Sequence, residues 1–389
     1  MSIVDRWLLP DGIEDILPVE ARSLEAIRRR LLDLYSTWGY QYVIPPMVEF
    51  LESLLTGTGS DLDLETFKVT DLVSGRTMGI RADMTPQVAR IDAHSLNKSG
   101  PVRLCYAGTV LQSRAENMLA SRAPIKVGAE LFGEYGRKSD LEIVSLMIES
   151  LRVLGIDEIH IELGDVSIFR HLVELANLEE QIQGDLFALV QRKAVAELGR
   201  TVDDLDLDKG LAALIKEIPL LCGHDVLSTA SDTFKSHSEI LGRVDNLRWI
   251  TEGIQSRFPE VGIYHDLSEL RGYNYHTGIV FAAYAGNSGQ TIAKGGRYDH
   301  IGEVFGRRRG ATGFDVNLKS LANQTVTFVD QRKVVLTSDT HDATEDVRWE
   351  KVQSLREQGY IVVESGDKSS NHDFELVYKS GEWRLQELC

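Results

Sequence analysis

Apolar residues recur at helical spacing over positions 18–40, with Leu24, Ile27, Leu31, Leu34 and Tyr35 on one face and Gly39 placed as a C-cap. This spacing predicts a long amphipathic helix that opens the fold. The seven residues Tyr40-Gln41-Tyr42-Val43-Ile44-Pro45-Pro46 then alternate and are rich in β-formers. Their two prolines lack ladder donors, which confines the run to a strand end or sheet edge and suits a subunit interface. Further strands are predicted at 67–70, 76–80, 102–106, 126–132 and 159–163, and a helix over 139–154. Strands from such separated places, without strict βαβ alternation, favour an α+β fold with a mostly antiparallel sheet flanked by helices.

Between about 167 and 259 the pattern turns almost wholly helical, and strand signals return at 261–264 and 277–281. A helical insertion therefore interrupts a β-rich core spanning 1–324. Past it, apolar runs at 333–336, 360–363 and 374–377, with a helix over 349–358, predict a small C-terminal α/β domain over 325–389. That tail is short for an independent RNA-reading domain.

Composition narrows the functional classes. Lys+Arg 42 against Asp+Glu 59 gives a formal net charge of -17, which repels a phosphate backbone and disfavours generic nucleic-acid binding. The basic run Arg307-Arg308-Arg309 either meets a polyanion or decorates a solvated loop. Cys105, Cys222 and Cys389 have no CxxC or Cys/His ligand spacing and read as reduced thiols. Met1 to Pro10 lacks the basic region and apolar run of a secretion signal, and no stretch approaches the length of a membrane helix, so a cytoplasmic protein is expected.

Four segments carry candidate chemistry. Arg81-Ala82-Asp83-Met84-Thr85 sets a carboxylate two residues before a hydroxyl, an acceptor pair for an ammonium that also suits the N-cap of a helix starting near Pro86. In Lys126-Val127-Gly128-Ala129-Glu130, alternation puts Lys126, Gly128 and Glu130 on one strand face, where Glu130 is either a buried acceptor for a ligand imidazole or an edge carboxylate. Arg271-Gly272-Tyr273-Asn274-Tyr275-His276-Thr277-Gly278 crowds a guanidinium, two phenols and an imidazole between glycines, as either a ligand wall or a hairpin. Gly295-Gly296-Arg297-Tyr298-Asp299 adds a turn open to close backbone approach. The chain has no GxSxG, HExxH or CxxC motif and its histidines form no metal-ligand spacing, so no metal or cofactor is expected.

In order and spacing these segments, with Pro10-Asp11-Gly12, Asp15-Ile16-Leu17-Pro18, Gly39-Tyr40, Pro46, Glu49, positions 103–108 and Glu130-Leu131-Phe132-Gly133, resemble the class II core of histidyl-tRNA synthetases from roughly Pro10 to Leu321. The resemblance implies a class II synthetase-like antiparallel sheet. Two departures stand out: Gln112 and Ser320 occupy slots where that family carries ATP-binding arginines. Removal of one well-placed transition-state donor typically slows a reaction about a hundred- to a thousandfold, so two losses argue for a retired active site.

Retained pocket residues with lost chemistry resemble the ATP phosphoribosyltransferase regulatory subunits, a family related to the synthetases. The resemblance implies a chain without catalytic activity that forms a homodimer and assembles with the short-form ATP phosphoribosyltransferase catalytic subunit, activating it and mediating feedback inhibition by histidine. It implies a histidine site in which Asp83 and Thr85 take the ligand's amino group, Glu130 its imidazole and Arg271 its carboxylate. Tyr275 and Tyr298 line that site, and Gln112 and His276 belong to it. His276 stands for a tyrosine of the synthetase signature, and Lys126 for a glutamine. Two alternatives are a divergent synthetase using Arg114 and Lys319 for the missing arginines, and a synthetase-like protein that binds tRNA through Arg307 to Arg309.

Overall fold

The opening helix runs over Pro18–Thr37 with Pro18 in its first turn, and it buries Leu24, Ile27, Leu31 and Tyr35. Each such burial contributes on the order of 1.5–3 kcal/mol, which outweighs intrinsic propensity in holding the helix. Gly39 follows at φ +83°, a conformation strained for other residues. The computed structural model describes residues 7–55, 60–115, 120–286, 289–325, 332–337, 345–364 and 372–387. Cys389 and the first six residues of the N-terminal segment lie outside them. The chain divides into two compact units, Met1–Thr327 and Phe328–Cys389.

The first unit is built on a nine-stranded sheet. From one edge to the other its strands are Gln41–Tyr42, Val102–Thr109, Ile125–Phe132, Ala311–Asn317, Thr291–Arg297, Ile279–Ala285, Ile159–Asp165, Gly262–Asp266 and Cys222–Gly223. All pairs are antiparallel except the first, Gln41–Tyr42 with Val102–Thr109, and that of Ile159–Asp165 with Gly262–Asp266. The sheet is therefore mostly antiparallel, as the lack of βαβ alternation predicts. The run 40–46 contributes only two paired residues, at the edge where its prolines confine it.

Helix Arg137–Arg152 packs on the sheet beside Pro18–Thr37 and buries a continuous set including Leu141, Val144, Met147, Ile148 and Leu151. A smaller antiparallel sheet orders Val48–Phe50, Thr77–Ile80 and Phe67–Thr70. The expected helical stretch holds six α-helices, from Val166–Ala176 to Ser238–Arg257, but it also lends Cys222–Gly223 to the sheet edge. Two paired residues are too short a run to leave a period in the sequence. Cys105 is a free thiol inside a strand, pushed up to about 12 by burial, and Cys222 is free and half-buried.

The second unit orders Ile361–Glu364, Val334–Thr337, Phe374–Lys379 and Glu382–Glu387, the first three parallel and the last pair an antiparallel hairpin. With helix Glu345–Glu357 these enclose Val335, Val352, Leu355, Val362, Leu376 and Trp383. The final strand is missed by periodicity because charged residues alternate with Trp383 and Leu385 along it. Among the described residues no helix is long and apolar enough to cross a membrane.

Candidate functional site

Register across the large sheet builds the site. Residues opposite one another on antiparallel strands point to the same face, and one row runs Leu104, Glu130, Gly313, Gly296, Val280 and Gly164. The next row runs Tyr106, Gly128, Asp315, Lys294, Ala282 and Glu162. Small residues at the centre of both rows leave a trough, while charged and phenolic side chains rise at its sides. A cavity of about 630 Å³ occupies this trough.

All eight residues of the implied site line that cavity: Asp83, Thr85, Gln112, Glu130, Arg271, Tyr275, His276 and Tyr298. At its floor Glu130 is 1% exposed. Its Oε1 accepts hydrogen bonds from Thr85 Oγ1 at 3.0 Å and Tyr106 OH at 3.1 Å. Its Oε2 and the Tyr298 hydroxyl are both buried and have no partner among the described residues. These two oxygens lie 1.7 and 2.2 Å from where a Cβ on Gly313 would sit, so the absent side chain leaves room for both. Burial drives the Glu130 carboxyl well above its ordinary range against the bond from Thr85, and the charge of Asp83 adds to the shift. Leaving two buried polar atoms unmade is costly, on the order of 1–3 kcal/mol each, and a polar ligand in the trough removes that penalty.

The charged walls are self-paired. Lys126 Nζ lies 3.1 Å from Asp315 Oδ2 and 3.5 Å from Asp83 Oδ1. Burial pulls the Lys126 ammonium down, but Asp315 and Asp83 outweigh it and hold it above its usual value. Asp83 Oδ1 also accepts from the backbone of Met84 at 2.6 Å and Thr85 at 3.5 Å, so it holds the start of helix Thr85–Arg90 while facing the cavity. On the other wall Arg271 Nη2 donates to Glu269 Oε2 at 2.9 Å, Glu162 Oε1 at 3.0 Å and Tyr284 OH at 3.2 Å. Burial, against the nearby Arg271 charge and together with that of Glu269, raises Glu162 to about 7.

The loop that carries Arg271 is fixed from behind. His276 Nδ1 donates to the Arg271 carbonyl at 2.9 Å, and burial holds its imidazole down to about 4, so the ring is neutral at physiological pH. Arg170, on helix Val166–Ala176, donates to the carbonyls of Tyr273 at 2.6 Å and His276 at 2.9 Å. The helical insertion thus supports the cavity. Tyr275 stacks on His276 with ring centroids 4.2 Å apart and completes the wall.

The phosphate-clamp positions hold no arginine fork. Gln112 donates weakly to Glu65 Oε2 at 3.5 Å and its carbonyl accepts from Arg122 at 3.0 Å. Ser320 lies on helix Leu318–Ala322 and does not line the cavity, and neither does its neighbour Lys319, whose Nζ pairs with Glu14 at 2.6 Å. Arg114 does line it.

Two arginines singled out by sequence have other work. Arg297, in the glycine turn, is buried against Asp140 at 2.8 Å and Asp299 at 2.8 Å and braces helix Arg137–Arg152 instead of facing the trough. Arg309 is 7% exposed, with Nη1 3.2 Å from Asp92 Oδ1 and 3.0 Å from the Lys98 carbonyl, while Arg308 meets His300 and Arg307 the Lys98 carbonyl. The triplet is therefore neither a solvated run nor a polyanion surface, because its last member is locked to a buried carboxylate. Conversely, the motifs do not identify Asp315, Gly313, Glu162 or Glu269 as part of the site. Each lies outside the quoted patterns or beyond their ends, and only strand pairing brings the first three into the trough.

The family model described as histidyl-tRNA synthetase matches residues 12–321. Curated relatives include the ATP phosphoribosyltransferase regulatory subunit of Pseudomonas syringae pv. syringae, 45% identical over 401 residues, and that of Azotobacter vinelandii, 46% identical over 399. Both alignments cover 100% of each chain. A crystal structure from Bacillus halodurans, described as an ATP phosphoribosyltransferase regulatory subunit/histidyl-tRNA synthetase, matches with a TM-score of 0.81 at 25% identity, over 93% of this chain and 94% of that one. The histidyl-tRNA synthetase of Nostoc sp. shares the fold, with a TM-score of 0.77 at 18% identity over 95% and 91% of the two chains.

Proposed function

From a chain that belongs to the histidyl-tRNA synthetase-like family and, within it, to the ATP phosphoribosyltransferase regulatory subunits, we infer a subunit without catalytic activity of its own. It activates a short-form ATP phosphoribosyltransferase catalytic subunit in the cytoplasm and mediates inhibition of the complex by histidine. The observation that carries this reading is the pairing of a polar floor, Glu130 Oε2 and Tyr298 OH unpartnered at the glycine trough, with an amide at Gln112 and an ion-paired Lys319 at the cation positions. A ring with nitrogen donors and acceptors suits that floor. Transfer of a nucleotidyl group needs fixed cations against developing charge, which these positions do not supply.

Histidine can regulate only by binding one arrangement of the assembly better than another. A homodimer is the proposed building unit. Around the edge strand Gln41–Tyr42, the side chains of Tyr42, Ile44, Met47 and Val48 are exposed at 44, 75, 48 and 38%, an apolar strip suited to a second copy. The divergent-synthetase reading loses one of its two replacement cations to Glu14, and the RNA-binding reading loses Arg309 to Asp92. The test is turnover of the short catalytic subunit with and without this chain, each across a histidine titration. Raised turnover and histidine inhibition that requires the chain support the proposal; unchanged turnover and inhibition refute it.

A further inference from the structure

The cavity treats the two ends of an amino-acid ligand differently. At the floor, Glu130 Oε2 and Tyr298 OH are buried and unpartnered beside Gly313, ready for a ring N–H donor and a ring nitrogen acceptor. At the walls the groups suited to an ammonium and a carboxylate already have partners. Asp83 and Asp315 share Lys126 at 3.5 and 3.1 Å, and Arg271 is held by Glu162 and Glu269 at 3.0 and 2.9 Å. A ligand ammonium approaching Asp83 meets the charge of Lys126, and a ligand carboxylate approaching Arg271 meets two carboxylates. Coulomb repulsion offsets attraction at both places, and it does so strongly because Lys126 is largely out of water.

We infer, resting on the histidine reading above, that the cavity selects its ligand by the imidazole ring and discriminates only weakly among the groups carried on the α-carbon. Its ligand class is therefore imidazole compounds with a short side arm, of which histidine is one. Lys126, Glu162 and Glu269 are the specificity-determining residues, since they neutralise the charges that would otherwise demand both an amino and a carboxyl group.

The test is calorimetric titration of the full chain with histidine, histamine, 3-(imidazol-4-yl)propionate and phenylalanine. Loss of a group held by charge-assisted hydrogen bonds weakens binding about ten- to a hundredfold. The inference expects the three imidazole compounds to bind within about tenfold of one another and phenylalanine to give no binding. A larger loss for histamine or for the propionate overturns it, including by a role for Arg114 or Lys294, which also line the cavity. A second measurement uses Lys126→Gln, which frees Asp83 and Asp315. The preference for histidine over the propionate should then rise about tenfold, and an unchanged ratio contradicts the role given to Lys126. Binding of the ring series with no histidine effect on turnover would remove the regulatory reading and leave this inference standing. Histidine binding without its analogues would do the reverse, and failure of every imidazole compound to bind would remove both.

Discussion

Glu130→Gln separates ligand recognition from folding at the floor of the trough. The glutamine carbonyl can keep the two bonds that Oε1 accepts from Thr85 and Tyr106, while its NH₂ replaces the unpartnered Oε2 and faces a ring N–H donor to donor. Loss of one hydrogen bond to a charged group is worth about 1.5–3 kcal/mol, and about 1.4 kcal/mol corresponds to tenfold in affinity. The histidine Kd should therefore rise about 10- to 150-fold. Stability should move the other way. Burial raises the folded carboxyl above its unfolded value, so the folded state holds the proton more tightly and wild-type stability is lost as pH rises above the unfolded pKa of roughly 4.3. A neutral amide has no such slope, and the unliganded variant should be as stable as wild type or more so at pH 7.5. Calorimetric titration with histidine and urea unfolding without ligand between pH 5 and 8 measure the two effects. A Kd within about twofold of wild type, or an unliganded variant markedly less stable at pH 7.5, would refute the assignment of Oε2 to the ligand.

Arg309→Met should lower unfolding free energy by about 3–5 kcal/mol, because it leaves Asp92 buried without its cation. Denaturant unfolding reads this, and a change below about 1 kcal/mol would show the pair to be dispensable. For His276 the imidazole is held at about 4 in the folded chain, against roughly 6.5 unfolded. Below pH 6.5 the unfolded state takes up a proton that the folded state refuses, so stability present above that pH is lost as pH falls towards 4. His276→Asn should flatten that part of the stability profile, and an identical acid limb in the variant would place the titration elsewhere.

What the sequence made legible was local. The opening helix, the strand face shared by Lys126, Gly128 and Glu130, and the crowded loop from Arg271 to Gly278 follow from periodicity and motif, and the structure has them at or near those positions. The errors are non-local. Arg297 belongs to a glycine-rich turn that invites a ligand role, yet its partner Asp140 lies on a helix far earlier in the chain. Arg309 sits in a basic run that reads as surface, yet Asp92 draws it inside.

The same limitation governs the site's chemistry. Arg271 and Asp83 look free in their own motifs because Glu162 and Lys126 are remote from them in sequence, and pairing across the sheet decides that they meet. Periodicity assigns a residue to a face but not its opposite number, since register is settled by which strands pair and where. Gly313 illustrates the consequence: it opposes Glu130 on one side and Gly296 on the other, and only that alignment turns three ordinary positions into an opening beside a buried carboxyl. A cavity whose charged walls are mutually neutralised while its floor is left unpartnered retains a reason to bind a polar ring without the cations that nucleotidyl transfer requires. That division is what a binding subunit derived from an enzyme fold would need, because an exposed arginine fork would continue to hold phosphates and compete for the same space.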